Sequence, residues 1–269
     1  MKGIALHSIV PVRAEAREGA EQNTQMLFGE LCTVLEQAPR WDRIRLESDG
    51  QEGWVDAKMV TQMSEEEYMD YKKALESSAL VAFPMLYAVS ANNGQTIPLT
   101  AGTRLPNYAD GQFEVLGVRF RVDSSMVITN SLDLNEQNLQ QAVRFFINVP
   151  YLWGGKNALG MDCSGFTQII LSLFGRRLLR NASEQATQGT EVSDLAHAQA
   201  GDLAFFDHRD GKISHVGIVL STLNVQPSTL SIIHCSGRVK VEKLDETGIF
   251  SAEQGDYSHH LVSIRRYEK

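Results

Sequence analysis

The stretch 160–175, GMDCSGFTQIILSLFG, sets Cys163 between Asp162 and Ser164, then a glycine, then an apolar run of helical length. A cysteine there admits two readings. Free cysteine is among the most buried residue types and packs as a small hydrophobe. At a helix N-terminus, however, the partial positive charge of the backbone favours a thiolate, and the thiolate is a nucleophile. The choice between them depends on whether the chain supplies a base within hydrogen-bond reach and a third group to orient that base.

Two histidines answer. In GKISHVGIVL (211–220), His215 opens a short apolar strand at a place where burial favours Val or Ile. In LSIIHCSG (230–237), His234 ends a β-branched run just before a turn. If these strands pair, the two imidazoles lie side by side and face a helix that starts at Cys163. That arrangement predicts a thiolate–imidazolium pair near neutral pH. Cys32 and Cys235 fall in strand contexts suited to packing.

The chain of 269 residues is long enough for two or three domains, and its 43% hydrophobic and 22% charged residues are ordinary for a globular protein. A net charge of −8 argues against a nucleic-acid-binding face. No apolar run reaches membrane-spanning length. The start, MKGIALHSIVPVRAEA, lacks the long apolar core of a secretory signal, so a cytoplasmic protein is expected, or a periplasmic one if a leader has been removed. Three cysteines make no disulfide framework. Seven histidines show no paired ligand spacing except the adjacent His259 and His260, so neither a metal nor a cofactor is expected.

Residues 1–62 read as short strands with Gly turns: QMLFGELCTVLEQ, WDRIRLE and the hairpin SDGQEGWVDAKMV. SEEEYMDYKKALESS breaks that texture, with Ser64 and its acidic followers starting a helical connector over 63–78. Strands return over 79–130, where Pro84, Pro98 and Pro106 suit edges or turns. Two such units suggest two small all-β barrels. From 131 to 269, NEQNLQQAVRFFINVP and the Cys163 helix precede five strand-like runs, which is the order of an α+β domain.

The motifs YLWGG, DCSGF, GDLAFF, ISHVGIVL and IIHCSG, in this order, resemble the catalytic domain of the NlpC-type cysteine peptidases over residues 131–269. The resemblance implies a papain-like α+β fold, with Cys163 as nucleophile, His215 as general base and acid, and His234 orienting His215. It implies further that Tyr151 lines the site and that a backbone amide at the helix start holds the oxyanion. The N-terminal segments resemble the bacterial SH3-like domains that precede such catalytic domains in the γ-D-glutamyl-L-diamino-acid endopeptidases (dipeptidyl-peptidase VI). Members of that subgroup cut freed murein tri- and tetrapeptides after L-Ala-γ-D-Glu. By this resemblance Glu21 and Trp54 clasp the free amine of L-Ala together with Asp162, while Glu15, Glu18 and Glu30 are the neighbouring carboxylates. Ser164, Asn181 and Ser183 line the substrate, Asn181 standing where relatives usually carry Asp. Two other readings stay open: an endopeptidase acting on intact peptidoglycan, and a non-catalytic peptide-binding protein.

Overall fold

The computed structural model describes residues 1–220 and 230–268. They divide into two compact units, Met1–Ser131 with Trp153–Ala158, and Leu132–Leu152 with Leu159–Lys269.

In the first unit, seven strands cover the first barrel-like segment. They are β1 (Lys2–Ala5), β2 (Ile9–Arg13), β3 (Gln22–Leu27), β4 (Leu31–Gln37), β5 (Trp41–Leu46), β6 (Glu52–Asp56) and β7 (Val60–Met63). They form one antiparallel sheet in the order β3-β2-β6-β5-β4-β1-β7. Alternation along β2 and β6 turns Val10, Val12 and Val55 into a core shared with Met26 and Ile44. Helix α1 (Glu65–Glu76) starts where the sequence places it. The Ser64 hydroxyl accepts from the Glu67 amide at 3.1 Å, and the Glu67 carboxylate accepts from the Ser64 amide at 2.8 Å.

The strands that follow are β8 (Ala79–Val81), β9 (Met85–Ser90), β10 (Thr96–Thr100), β11 (Arg104–Leu105), β12 (Gln112–Val115), β13 (Val118–Arg121) and β14 (Val127–Ile128). They make two small sheets, β10-β9-β13-β12 and β11-β8-β14. Phe113 and Phe120 of these sheets meet Phe28 edge-on at 6.4 and 5.6 Å, and the same core takes in Tyr68 and Tyr71 of α1. The two strand-rich segments and their connector therefore share apolar packing. Residues 153–158, which the sequence assigns to the second half, also pack here, carrying the two-residue strand β15 (Lys156–Asn157). The Lys156 ammonium sits 3.0 and 3.2 Å from the Glu30 carboxylate oxygens. Gln25 Oε1 accepts from the Lys156 amide at 2.9 Å and from Asn157 Nδ2 at 2.8 Å, and Gln22 Nε2 donates to the Trp153 carbonyl at 3.1 Å.

The second unit holds α2 (Glu136–Val143), the short strand β16 (Gly160–Met161), α3 (Cys163–Leu173) and α4 (Ala182–Gln185). Seven strands follow: β17 (Thr190–Val192), β18 (Leu203–Asp207), β19 (His215–Leu220), β20 (Leu230–Ser236), β21 (Arg238–Asp245), β22 (Gly248–Ser251) and β23 (Asp256–Arg266). Their order is β17-β23-β18-β19-β20-β21-β22, and β22 also pairs with β23, so β18 to β23 close on themselves. The expectation of helices first and strands afterwards holds. β17 and β22 are additional to the five strand-like runs, and β22, only four residues long, is the one that closes the ring. Phe206, Val219, Ile232, Leu244, Ile249 and Ile264 form the core of the closed sheet, and α3 packs on β19 and β20.

Candidate active site

Asp162 caps α3, its Oδ1 accepting from the Gly165 amide at 2.7 Å. The apolar run behind it, including Phe166, Ile169 and Ile170, is buried, which draws the first turn into the interior and leaves Cys163 only 6% exposed. Asp162 is held from the other side by Arg180, a guanidinium with 1% exposure. Its two terminal nitrogens donate to Oδ1 at 3.0 Å and Oδ2 at 2.6 Å, and one of them also reaches Ser164 Oγ at 2.8 Å. Gln185 ties the same turn down by donating to the Ser164 carbonyl at 3.1 Å and accepting from Thr167 Oγ1 at 2.8 Å.

Strand pairing sets the histidines. β19 and β20 are antiparallel neighbours with Gly217 opposite His234, which brings the start of β19 beside the end of β20. His215 Nε2 and His234 Nδ1 lie 2.8 Å apart, with the rings nearly perpendicular. Gly217 is what permits this approach. A Cβ on it would stand 2.9 Å from His234 Cβ and 2.7 Å from Ile232 Cδ1, closer than side chains tolerate. The amide of Val216, next to His215, is near enough to the Cys163 sulfur to favour its thiolate form, so thiol and first histidine share one corner of the unit.

The electrostatics bear on the expected thiolate–imidazolium pair. Burial pushes the Cys163 thiol up to about 12, and the Asp162 charge pushes the same way, against the amides of Val216 and Ser164 and the Arg180 charge. Burial also drives His215 well below its ordinary value, helped by His259 and His234. A helix N-terminus contributes about 0.3–2 kcal/mol, little more than one pH unit, whereas full burial moves a group by about 3–5. Burial therefore works against charge on both the thiol and the imidazole, and opposes the helix dipole at Cys163.

Two partners of the histidines escaped the sequence reading. Glu242 Oε2 lies 2.9 Å from His234 Nε2, and Lys240 Nζ lies 3.2 Å from Glu242 Oε1. The sequence signal is faint: Lys240 and Glu242 alternate with Val239 and Val241 like a solvated strand face, yet their face continues into the buried Leu244. His259, set aside as half of an adjacent pair, stacks on His215 with ring centroids 4.0 Å apart and planes 25° apart. Ligand nitrogens of His215, His234 and His259 lie within 4.8 Å of one another. A tetrahedral ion needs their lone pairs to converge on one point. The near-parallel His215 and His259 rings aim theirs side by side, and the His215–His234 edge is closed by a hydrogen bond.

The remaining predicted residues are placed as follows. Tyr151 is half-buried; burial and then the proximity of Cys163 raise its hydroxyl pKa. Ser164 is buried, with its hydroxyl between Asp162 and Arg180. Asp162, expected to face a substrate amine, is paired with Arg180 at 2.6 Å. Asn181 is exposed, and the Glu184 carboxylate accepts from both its backbone amide and its Nδ2, at 3.0 and 2.9 Å. Ser183 is exposed one residue into α4. Glu21 and Trp54 lie in the first unit. Glu21 is exposed just before β3, its carbonyl accepting from the Ala14 amide at 2.9 Å, and Trp54 is half-buried in β6 opposite Arg13.

Known proteins place this geometry. Residues 148–259 match the NlpC/P60 family, and residues 12–60 match the bacterial dipeptidyl-peptidase SH3 domain. A γ-D-glutamyl-L-lysine dipeptidyl-peptidase of Bacillus subtilis is 31% identical over 211 residues, covering 72% of this chain and 68% of that one. Its counterpart from Bacillus cereus is 28% identical over 75% of this chain and 66% of its own. The crystal structure of an NlpC/P60 family protein from Bacillus cereus superposes over 99% of both chains with a TM-score of 0.81 at 21% identity, a likeness of fold. With cysteine, paired histidines and an N-terminal SH3-like domain all in place, the chain belongs to the NlpC/P60 family and is a cysteine peptidase.

Proposed function

We propose that the enzyme hydrolyses the bond between γ-D-Glu and the diamino acid (L-Lys or meso-diaminopimelate) of cell-wall stem peptides with a free N-terminal L-Ala, releasing L-Ala-γ-D-Glu. The observation that carries the chemistry is the 2.8 Å contact between His215 and His234 beside a cysteine at a helix start. The names of the two Bacillus relatives and the dipeptidyl-peptidase SH3 match support the substrate class. In this reading the peptides are freed wall fragments being recycled inside the cell, and the two sheets of residues 79–128 make a second SH3-like barrel.

In this reading the proton leaves sulfur as the substrate is attacked. Cys163 Sγ adds to the γ-carbonyl carbon of D-Glu while His215 takes the thiol proton. The carbonyl oxygen becomes an oxyanion held by a backbone amide at the start of α3. Collapse expels the α-amine of the diamino acid, which receives the proton from His215 and leaves a thioester on Cys163. Water then attacks the thioester, giving its proton to His215, and the dipeptide leaves with its new carboxylate as His215 returns that proton to the Cys163 sulfur. Glu21 and Trp54 serve the free amine, and Asp162, Ser164, Tyr151, Asn181 and Ser183 line the peptide.

The test compares L-Ala-γ-D-Glu-L-Lys with its N-acetyl form, using wild type, Cys163→Ala and Glu21→Gln. Release of L-Ala-γ-D-Glu from the free peptide alone, abolished in Cys163→Ala, is the expected result. Equal cleavage of both peptides favours the intact-wall endopeptidase, and substantial hydrolysis by Cys163→Ala overturns the mechanism. Retained discrimination in Glu21→Gln assigns the amine to another carboxylate.

A further inference from the structure

We infer that Glu242 is a positioning residue for this reaction: through His234 it fixes which nitrogen of His215 is free to take the proton. The inference rests on the assignment of His215 as base and extends it to a residue two positions further along a hydrogen-bonded line.

A carboxylate can only accept hydrogen bonds. The 2.9 Å contact between Glu242 Oε2 and His234 Nε2 therefore puts a hydrogen on that Nε2. A neutral imidazole carries one N–H, so His234 Nδ1 holds a lone pair and accepts. Its partner at 2.8 Å is His215 Nε2, which must then be the donor. The hydrogen of neutral His215 is thereby committed to Nε2, and Nδ1 is left as the basic nitrogen. If His234 bore hydrogens on both nitrogens, the middle bond would reverse and His215 Nδ1 would be protonated, useless as a base.

Two features keep the line in its working state. His234 is fully buried, and burial lowers its pKa more than Glu242 raises it, so the ring stays neutral. Burial also pushes the Glu242 carboxyl up, but hydrogen bonding to His234, Ser251 and Lys240 outweighs this and holds it below the ordinary carboxylate value, so the carboxylate persists through the working pH range. Lys240 contacts the other oxygen at 3.2 Å and itself reaches Glu253 at 3.5 Å. Its charge balances that of Glu242, which leaves the carboxylate acting mainly as an acceptor of fixed direction. The strand ladder supplies the spacing: Lys240 is directly opposite His234 on β21, and Glu242 is the diagonal neighbour, within reach of a long side chain.

The experiment uses the full-length protein with Glu242→Gln and Glu242→Asp. Nitrogen chemical shifts of ¹⁵N-histidine-labelled protein report the tautomers of His234 and His215 without any substrate, and kcat and KM are measured on L-Ala-γ-D-Glu-L-Lys. In wild type, His234 is expected as the Nε2–H tautomer and His215 with Nδ1 unprotonated. Glutamine presents an amide that can donate as well as accept, so both tautomers become populated. kcat is then expected to fall on the order of 10- to 100-fold with KM little changed, while aspartate, which keeps the charge, recovers part of it. His234 as the Nδ1–H tautomer in wild type, or a Glu242→Gln kcat within about twofold of wild type, overturns the inference. If the tautomers are as expected but no peptide is cleaved, the substrate reading falls and the hydrogen-bonded line stands.

Discussion

Arg180→Met replaces a buried guanidinium with an unbranched apolar chain of similar length. It takes away the hydrogen bonds of 3.0 and 2.6 Å to the two oxygens of Asp162 and of 2.8 Å to Ser164 Oγ. The Asp162 carboxylate stays where it is, 6% exposed, with the Gly165 amide and the Ser164 hydroxyl still donating to it. Adding up three charge-assisted bonds overstates the loss, because Arg180 no longer has to be desolvated. Breaking a buried pair by removing one partner costs about 3–5 kcal/mol, which for a unit of this size lowers Tm by roughly 10–20 °C. The double variant Asp162→Asn/Arg180→Met keeps a helix-capping oxygen but buries no charge, and it is expected to recover most of that loss. Calorimetry and urea unfolding of the four proteins close the cycle. A loss under about 1 kcal/mol in Arg180→Met, or a double variant as unstable as the sum of the singles, refutes the account of a buried ion pair holding the helix start.

Two further predictions concern protons. With the Cys163 thiol raised by burial to about 12, its alkylation by iodoacetamide should keep accelerating above pH 8.5, and a plateau reached near neutral pH would restore the thiolate–imidazolium pair. Burial brings His259 down to about 4 in the folded protein from an ordinary 6.5, so between those pH values the unfolded chain binds the extra proton. Stability is then full above pH 6.5 and falls by about 3 kcal/mol as pH drops to 4, His215 adding to the loss in the same direction. The groups facing His259 are His215, His208, His234, Lys240 and Glu242. His259→Phe keeps an aromatic ring against His215 and should flatten the acid slope; parallel slopes for the two proteins in unfolding at pH 4.5 and 7 would contradict this.

The cysteine and two histidines of the candidate site were legible because each breaks a local pattern. Cys163 stands at the mouth of an apolar helix, and His215 and His234 interrupt β-branched strands, so residue type and period were enough to single them out. The Ser64 and Glu67 box was legible for the same local reason. Glu242 and His259 were not. Glu242 faces inward only because β21 pairs with β20 in one register, and His259 reaches His215 only because β23 lies beside β18 in the closed sheet. Such positions depend on strand pairs separated in sequence, and a one-residue slip would turn them outward. Dipole and neighbour identity around the thiol can be read from sequence, while its depth of burial is a property of the packed unit. Arg180 was visible only as the residue before Asn181, and nothing local announced that it returns to Asp162.

Residues 153–158 are written in the sequence of the peptidase half but belong in space with residues 1–131. A gene fragment ending at Ser131 would encode Gln22, Gln25 and Glu30 without the Trp153 carbonyl, Lys156 and Asn157 that they hold. A peptidase half moved behind a foreign front end would carry a buried lysine with no carboxylate to meet it. It would also carry Gly154, where any larger residue would collide with the Gln22 backbone. The front and back halves therefore cannot be shuffled freely between proteins. Exchange of one restricts what can be inherited in the other, and chimaeras should express best when Gln22, Gln25 and Glu30 come from the same parent as the hexapeptide they grip.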